Sequence, residues 1–524
     1  MKEVYATEMA VTGPSEEMPA EGMSARGAAT IIKDELLLDG NPLMNLATFV
    51  TTYLEPEAEE IMRVGSRINI IDQDEYPQSA EIHRRCVNMV GKLWHAETDE
   101  NGNVCGSATV GSSEAIMLAG LAMKFRWRAE RKAKGLPVDR WPNMVFGSNV
   151  QCCWHKMCRF FDIEMREADV SEDSLVLTAE RAKPLIDEYT MGVGAILGST
   201  FNGEFEDIKG INDMIEELNR EKGWNVALHV DAASGGFIAP FTTPDLVWDF
   251  QLSQVVSINT SGHKFGLTTA GLGWVAFKNN EVCPEDLFET VDYLGGSQRS
   301  IGINFSKPAS QILCQYYQLI RLGKEGYSSL LRNQNANAQH MRNELAATGI
   351  FEIVDKGDMP LVAFKMMDPI KAGFTLYDLQ AFLSARGWTM PAYRCPKGAE
   401  NLVIMRAVIK QNLSRNMVHM LINTIKEGIE FYASHPTHLL HPKNEDLLDK
   451  LGGIPEEMRD DQTQAEAKAV DKPPEPPTKH LGRPKLSRSE SSRALHSASH
   501  NVVTELVGGN AKRILSFNTP KPVC

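Results

Sequence analysis

Short apolar runs alternate with longer stretches of helical period between about residues 29 and 432, and this alternation limits the possible folds most strongly. Buried strands are predicted at four apolar runs, residues 144–148, 194–199, 226–231 and 255–259. A helix is predicted over 112–135, where Ser112 or Ser113 is a possible cap and Gly135 ends the helical pattern. Such alternation is typical of an α/β fold with a mostly parallel sheet.

A second α/β unit is predicted to begin near residue 323, where a long helix precedes a new series of strands and helices. After about residue 441 the pattern ends and bulky apolar residues become rare, which favours disorder. The predicted organisation is an N-terminal segment at 1–43, a large domain at 44–330, a small C-terminal domain at 331–440 and a disordered basic tail at 441–524.

Composition and charge exclude several classes of protein. A chain of 524 residues, 43% of them hydrophobic, can bury a sizeable core without disulfides or metals. Its net charge of −14 argues against general nucleic-acid binding. No apolar run reaches the roughly 18 residues that span a bilayer, and the acidic N-terminus lacks the apolar core of an export signal. We therefore expect a cytoplasmic protein with no membrane partner.

The nine cysteines are an odd number, and they are interpreted as reduced thiols. Cys152, Cys153 and Cys158 lie close to His155, but they lack the paired C-x-x-C spacing of a zinc site. We expect no metal site.

Lys264 lies in the hexapeptide Ser-Gly-His-Lys-Phe-Gly, directly after a predicted strand. The flanking glycines allow the backbone to fold closely around a ligand. A lysine in a cleft with a depressed pKa can act as a Schiff-base nucleophile. The alternative is an exposed lysine in a surface loop.

Asp231 is predicted at the C-terminal end of a buried strand, where ligands of open α/β sheets gather. A buried carboxylate needs a positive partner, and a protonated pyridine nitrogen would be one. The alternative is a helix-capping aspartate.

The segment Gly111-Ser112-Ser113-Glu114 opens a predicted helix, and free N–H groups at a helix N-terminus suit a phosphate. Capping of that helix is the alternative. Ser306 follows a Gly-rich stretch and offers a second phosphate contact. A Schiff-base lysine, a pyridinium carboxylate and a phosphate-binding helix end are together what pyridoxal 5′-phosphate requires.

The chain closely resembles the glutamate decarboxylases of bacteria and plants, a family of group II pyridoxal-phosphate decarboxylases, over about residues 30–435. The resemblance is carried by DELLLDGNPLMNLATF, DQDEYPQSAEIHRRCVNMV, GSSEAIMLAG, HVDAASGGFIAPF, SGHKFG and DYLGGSQRSIGINFSKP. It implies an aspartate-aminotransferase-like fold (fold type I of pyridoxal-phosphate enzymes) with a large mixed-sheet domain and a smaller C-terminal α/β domain. It also implies a homodimer or higher homo-oligomer.

Residue roles follow from the resemblance by position. Lys264, Asp231 and His263 match the catalytic residues. The cofactor contacts implied are Ser112, Ser113, Gln151, Thr200, Asp231, His263, Lys264 and Ser306, the last supplied by a neighbouring subunit. The substrate contacts implied are Thr48, Phe49, Asn69, Asp72 and Arg406, the arginine holding the α-carboxylate.

The implied reaction is α-decarboxylation of L-glutamate to 4-aminobutanoate (GABA) and CO2, through a Schiff base on Lys264. Three candidates for the proton donor to Cα stay open: Lys264, His263 and a loop between about residues 307 and 334. A related decarboxylase with another amino-acid substrate is the alternative enzyme, and a non-catalytic scaffold is the alternative from another class.

The C-terminal segment 476–524 carries eight Lys/Arg and two Asp/Glu, a net charge of +6, so the rest of the chain carries −20. Plant members of the family have a calmodulin-binding extension, and residues 505–517 are the best candidate here, although Gly508-Gly509 weakens a helix. A kinase acting at Ser491 or Ser516, each with an arginine three residues before it, is a second possibility. An inert solvated tail is the third.

Overall fold

The computed structural model describes residues 16–291 and 298–437. The predicted tail, with its calmodulin and kinase motifs, lies outside these residues. Among the described helices, none is both long and apolar enough to cross a membrane.

The described helices are α1 (Ala25–Leu36), α2 (Pro56–Gly65), α3 (Pro77–Leu93), α4 (Gly111–Ala133), α5 (Cys152–Phe160), α6 (Ala179–Ala182), α7 (Ile208–Lys222), α8 (Ala239–Thr242), α9 (Ser310–Ala347), α10 (Pro369–Ala372), α11 (Leu376–Ser384) and α12 (Arg415–Ser434). The described strands are β1 (Gly106–Thr109), β2 (Asn143–Gly147), β3 (Glu164–Ala168), β4 (Thr190–Ile196), β5 (Ala227–Asp231), β6 (Val255–Thr260), β7 (Gly273–Phe277), β8 (Glu289–Val291), β9 (Gln298–Ser300), β10 (Phe351–Ile353), β11 (Leu361–Met366), β12 (Ala392–Arg394) and β13 (Val403–Val408).

The central element is a seven-stranded mixed sheet in the order β1-β7-β6-β5-β4-β2-β3. The five strands from β6 to β3 pair in parallel, whereas β7 is antiparallel to both of its neighbours. The mixed sheet expected for this fold class is confirmed. Because β7 reverses direction, the C-terminal ends of β1, β2, β4, β5 and β6 all lie at one edge of the sheet.

All four predicted strands are confirmed as β2, β4, β5 and β6, and every residue of these strands is buried. Burial on both faces explains why these strands are continuous apolar runs rather than alternating ones. Helix α4 is also confirmed, and Gly135 lies just beyond it at φ 68°.

The predicted capping of α4 by Ser112 or Ser113 is wrong. Val110 occupies the capping position, and no side chain caps the helix by hydrogen bonding there. Instead Glu114 Oε2 accepts a hydrogen bond from the Val110 N–H at 2.5 Å. The serine hydroxyls at this helix end are therefore not used for capping.

A second, four-stranded antiparallel sheet has the order β10-β11-β13-β12 and carries its own buried cluster around Phe364, Leu379 and Leu421. The 38-residue helix α9 packs against helices α2 and α3 and against strands β10 and β11. It is interrupted at Gly323, where φ is 60° and ψ is −174°. The segment expected as a loop at 307–334 is therefore helical from Ser310, a correction to the sequence interpretation. The domain boundaries stay predictions.

Candidate active site

The predicted cofactor residues gather at the edge where the parallel strands of the large sheet end. Ser112 follows β1, Gln151 follows β2, and Thr200 follows β4. Asp231 is the last residue of β5, and Lys264 lies four residues after β6. The carboxyl edge of an open α/β sheet is the usual ligand site, and here the topology brings residues from distant parts of the chain to it.

Lys264 is held from both its backbone and its side chain. Its carbonyl oxygen accepts a hydrogen bond from Thr51 Oγ1 at 2.8 Å, and its Nζ donates to Ser234 Oγ at 3.3 Å. The ammonium also lies 5.1 Å from the centre of the Phe49 ring. Burial lowers the pKa of Lys264, and Asp231 only partly opposes this shift. The surface-loop alternative for this lysine is wrong.

Asp231 is 4% exposed and accepts three hydrogen bonds. Trp154 Nε1 donates to Oδ2 at 3.0 Å, and Asn259 Nδ2 and the Ala233 N–H donate to Oδ1 at 3.0 and 3.1 Å. Donors that favour the charged form offset the desolvation of a buried carboxylate. The helix-capping alternative is wrong, because Asp231 ends a strand.

The sequence interpretation missed two of these donors, Trp154 and Asn259. It also missed His229, which contacts Asn259. Asn259 Oδ1 lies 2.7 Å from His229 Nε2, and the other ring nitrogen of His229 lies 2.8 Å from Ser257 Oγ. The histidine and the asparagine are fully buried. His229 lies two residues before Asp231 on β5, so the two side chains share one face of the sheet. Asn259 lies on β6, where it pairs with Asp231. That register is the signal that a sequence interpretation would have needed.

Arg406 and Phe49 form the wall facing the lysine. The Arg406 guanidinium lies 4.4 Å from the Phe49 ring centre and donates to the Thr200 and Ala47 carbonyl oxygens. Arg406 is 5% exposed, and its Nε has no hydrogen-bond partner among the described residues. A buried guanidinium with a free donor is suited to binding a carboxylate.

Gln151 and Thr200 are joined directly, since Gln151 Nε2 donates to Thr200 Oγ1 at 2.6 Å. Thr48 lies one residue before Phe49, and its Oγ1 accepts a hydrogen bond from the Val50 N–H at 3.0 Å. These contacts hold side chains beside Arg406 and Phe49, because Arg406 donates to the Thr200 carbonyl oxygen and Thr48 directly precedes Phe49.

The expected phosphate end is built around Gly111, which has φ 74°. Ser112 Oγ lies 2.7 Å from Ser261 Oγ, and a Cβ added at Gly111 would lie 3.2 Å from the His263 ring. Ser113 interacts with the Cys153 thiol. Burial lowers the pKa of His263 to about 4, with a smaller effect from Lys264, and its Nδ1 has no partner among the described residues.

Asn69, Asp72 and Ser306 form a separate cluster. Asn69 Nδ2 lies 3.3 Å from Asp72 Oδ1 and 3.4 Å from Ser306 Oγ, and Asn69 Oδ1 accepts from the Lys307 N–H at 3.2 Å. Within the described part of the chain, no hydrogen bond joins these three residues to Lys264. The structure thus divides the predicted site residues into two groups.

The first group fits pyridoxal phosphate. It offers a partly buried amine, a carboxylate held by three donors, and a helix N-terminus whose serine hydroxyls do not cap the helix. The imidazole of His263 lies beside this helix end, and its Nδ1 has no partner among the described residues. These features match the aldehyde, the pyridine nitrogen and the phosphate of that cofactor. Residues from five strand ends would hold it.

Comparisons with known proteins indicate the same cofactor. Residues 19–367 match the family model described as the pyridoxal-dependent decarboxylase conserved domain. The chain is 47% identical to glutamate decarboxylase 5 of Arabidopsis thaliana over 82% of this chain and 86% of that protein. It is 42% identical to a glutamate decarboxylase of Aliivibrio fischeri, over 83% and 94%. A solved Lactobacillus brevis glutamate decarboxylase superposes with a TM-score of 0.78 at 39% identity, over 82% and 97%.

Proposed function

Since the chain belongs to the pyridoxal-dependent decarboxylase family, we propose that it converts L-glutamate to 4-aminobutanoate and CO2. The observation that carries this proposal is Arg406, a buried guanidinium on the wall that faces Lys264, whose Nε has no partner within the described ranges. The glutamate decarboxylases to which the chain is similar support the choice of substrate.

When bound, pyridoxal phosphate withdraws electrons from the substrate α-carbon and so weakens its bond to the carboxylate. Lys264 would hold the cofactor covalently, and Asp231 would face its ring nitrogen. Ser112, Ser113 and His263 would contact its phosphate, and Gln151 and Thr200 would contact its ring. The three donors to Asp231 keep a negative charge fixed before the reaction begins, so that no reorganisation is needed.

The protonation states of Lys264 and His263 would determine which of them can donate or accept a proton in this site. Burial lowers the pKa of Lys264, which increases the fraction of neutral, nucleophilic amine. The pKa of His263 is about 4, so its imidazole is neutral at physiological pH. Replacing CO2 with hydrogen at Cα consumes one proton per turnover. Lys264 is the candidate to deliver it, because an ammonium of lowered pKa releases its proton more readily, whereas the neutral imidazole of His263 would first have to take up a proton.

Arg406 would select the bond that breaks by fixing the α-carboxylate. Its two Nη groups are already bound to carbonyl oxygens, which holds the guanidinium plane against Phe49. A pre-positioned arginine loses little freedom when it binds a carboxylate. Thr48 and Phe49 are proposed to line the side on which the substrate's distal carboxylate lies.

The test is to incubate the purified holoenzyme with each common amino acid and to measure released CO2. We expect release from glutamate that is lost in Lys264→Ala, together with loss of the visible absorbance of the bound cofactor. Turnover of an aromatic amino acid alone would favour the related-decarboxylase alternative. Absence of visible cofactor absorbance in the wild type would contradict the proposal.

We also propose a homo-oligomer of at least two subunits in which Asn69, Asp72 and Ser306 complete the site of a neighbouring subunit. Among the described residues, no hydrogen bond joins this cluster to Lys264, which supports the proposal. Light scattering measures the mass, and mixing inactive Lys264→Ala and Ser306→Ala proteins tests the shared site. Recovered activity in the mixture is expected, because mixed dimers would contain one intact site.

A cytoplasmic location and a calmodulin- or kinase-binding tail are further proposals, supported only by the sequence. Cell fractionation tests the first. Retention of the full-length protein on calmodulin resin with and without Ca²⁺, compared with a protein truncated after residue 475, tests the second.

A further inference from the structure

A polar cavity of 340 Å³ lies between helix α9 and the segment that joins β13 to α12. None of the candidate active-site residues lines it. Asn333, Gln334 and Asn337 line it from the helix, and Lys410 and Gln411 line it from the joining segment. Two leucines complete the lining, and none of the described residues brings a carboxylate to it. The cavity wall therefore has four amide side chains and one positive charge.

Lys410 is the charged residue of this cavity and is only 3% exposed. Its Nζ donates to Thr52 Oγ1 at 2.9 Å, and no ion pair to Lys410 is found in the described part of the chain. Burial lowers the pKa of Lys410 to about 8. A buried ammonium is costly without a counter-charge, so an anion in the cavity would stabilise it.

Gln334 provides an independent indication of a ligand. It is 3% exposed and lines the same cavity, yet neither its Nε2 nor its Oε1 has a hydrogen-bond partner among the described residues. Buried amides are almost always hydrogen bonded, because leaving one unpaired costs about 1–3 kcal/mol. The helix side of the cavity therefore contributes an amide with an unused donor and an unused acceptor to the cavity that Lys410 also lines.

We propose that this cavity binds a small oxyanion, a phosphate or a carboxylate. Donors come from two walls, so a ligand with several oxygen atoms can satisfy them together. The positive charge and the absence of a lining carboxylate exclude a cation. The volume exceeds the roughly 30 Å³ that one water molecule occupies in the liquid, and it leaves space for such an anion.

The cavity is connected through adjacent residues to the segment that contains His263 and Lys264. Lys410 contacts Thr52, and the neighbouring Thr51 donates to the carbonyl oxygens of His263 and Lys264, both at 2.8 Å. An anion that holds Lys410 would also hold Thr51 and Thr52 against that segment. Oxyanion binding is therefore expected to stabilise the holoenzyme.

The experiment is calorimetric titration of the holoenzyme, whose own phosphate site is filled by cofactor, with sodium phosphate or sodium acetate. Sodium chloride keeps the ionic strength constant. We expect binding that weakens at least about tenfold in Lys410→Met and in the nearly isosteric Gln334→Met, as for loss of a hydrogen bond to a charged group. Lys324→Met, an exposed lysine on the same helix, should bind as the wild type does.

The outcomes separate cleanly. Binding of both anions assigns the site to oxyanions in general, and binding of one assigns it to that anion, provided that both variants weaken it. If Lys410→Met fails to fold, Gln334→Met and the control decide the result. Absence of binding, or equal affinity in wild type and Gln334→Met, overturns the proposal, as does displacement of the anion by chloride alone.

Discussion

The substitution Gly194→Ala should destabilise the protein through Trp154. Gly194 lies in the buried strand β4, and a methyl group there would fall well inside van der Waals distance of Trp154 Cη2 and Cζ3, and 3.2 Å from Cζ2. Trp154 is fully buried, and its Nε1 donates to Asp231. The ring has to move, and the hydrogen bond to the carboxylate moves with it.

The expected cost combines two effects. Adding a methyl group to a packed core costs about 1–3 kcal/mol. A lost hydrogen bond to a charged group costs about 1.5–3 kcal/mol. Since the indole can keep part of either interaction by shifting, we expect the free energy of unfolding to fall by about 3 kcal/mol.

The assay is urea unfolding of the cofactor-free protein, followed by circular dichroism, in a double-mutant cycle with Trp154→Phe. The smaller ring removes the clashing atoms, so Gly194→Ala should cost less than about 1 kcal/mol in that background. Gly40→Ala, where the nearest atom to the new Cβ is 3.7 Å away, is the control and should cost little. An equal cost of Gly194→Ala in both backgrounds would refute the reasoning.

Three further substitutions test other parts of the structure. Burial lowers the pKa of His83 to about 4, so the unfolded chain binds the proton more tightly than the folded one. His83 should therefore contribute a loss of about 3 kcal/mol as the pH falls from 6.5 to 4 and no loss above 7, and His83→Gln should lose that much less stability than the wild type in urea unfolding. Asn259→Leu should change the visible spectrum of the bound cofactor, because Asp231 loses a hydrogen-bond donor. The control is Asn143→Leu, which removes another buried asparagine bound to an aspartate and should destabilise the protein without changing that spectrum. Arg406→Lys should lower kcat/KM for glutamate at least about 100-fold while cofactor absorbance persists, because lysine cannot bind a carboxylate with two parallel hydrogen bonds. An unchanged kcat/KM would show that Arg406 does not bind the substrate.

The sequence was sufficient where the signal is local. Runs buried on both faces predict β2, β4, β5 and β6 because most side chains of such a strand are apolar or small. Asp231 was predicted at the end of one of these strands, where ligands of open α/β sheets gather, and Lys264 was predicted directly after another.

The sequence was misleading where the partner is distant. Ser112 looks like a helix cap, but its hydroxyl pairs with Ser261, 149 residues away. The segment beyond Ser310 looks like a loop because Gly323 and Gly326 interrupt its period, yet tertiary packing keeps it helical on both sides of Gly323. Helix propensity is a weak local preference that packing overrides.

The sequence by itself determined the α/β class, the strands of the large sheet and, through a resemblance to glutamate decarboxylases, the residues expected at the cofactor. Only the tertiary structure decided that Asn259 and Trp154 hold Asp231 and that Arg406 stacks on Phe49 beside Lys264. It also decided that Lys410 is buried with no ion pair to any residue that the structure describes. Strand identity depends on neighbouring residues, whereas the charge and hydrogen bonding of a buried group depend on whatever the fold places against it.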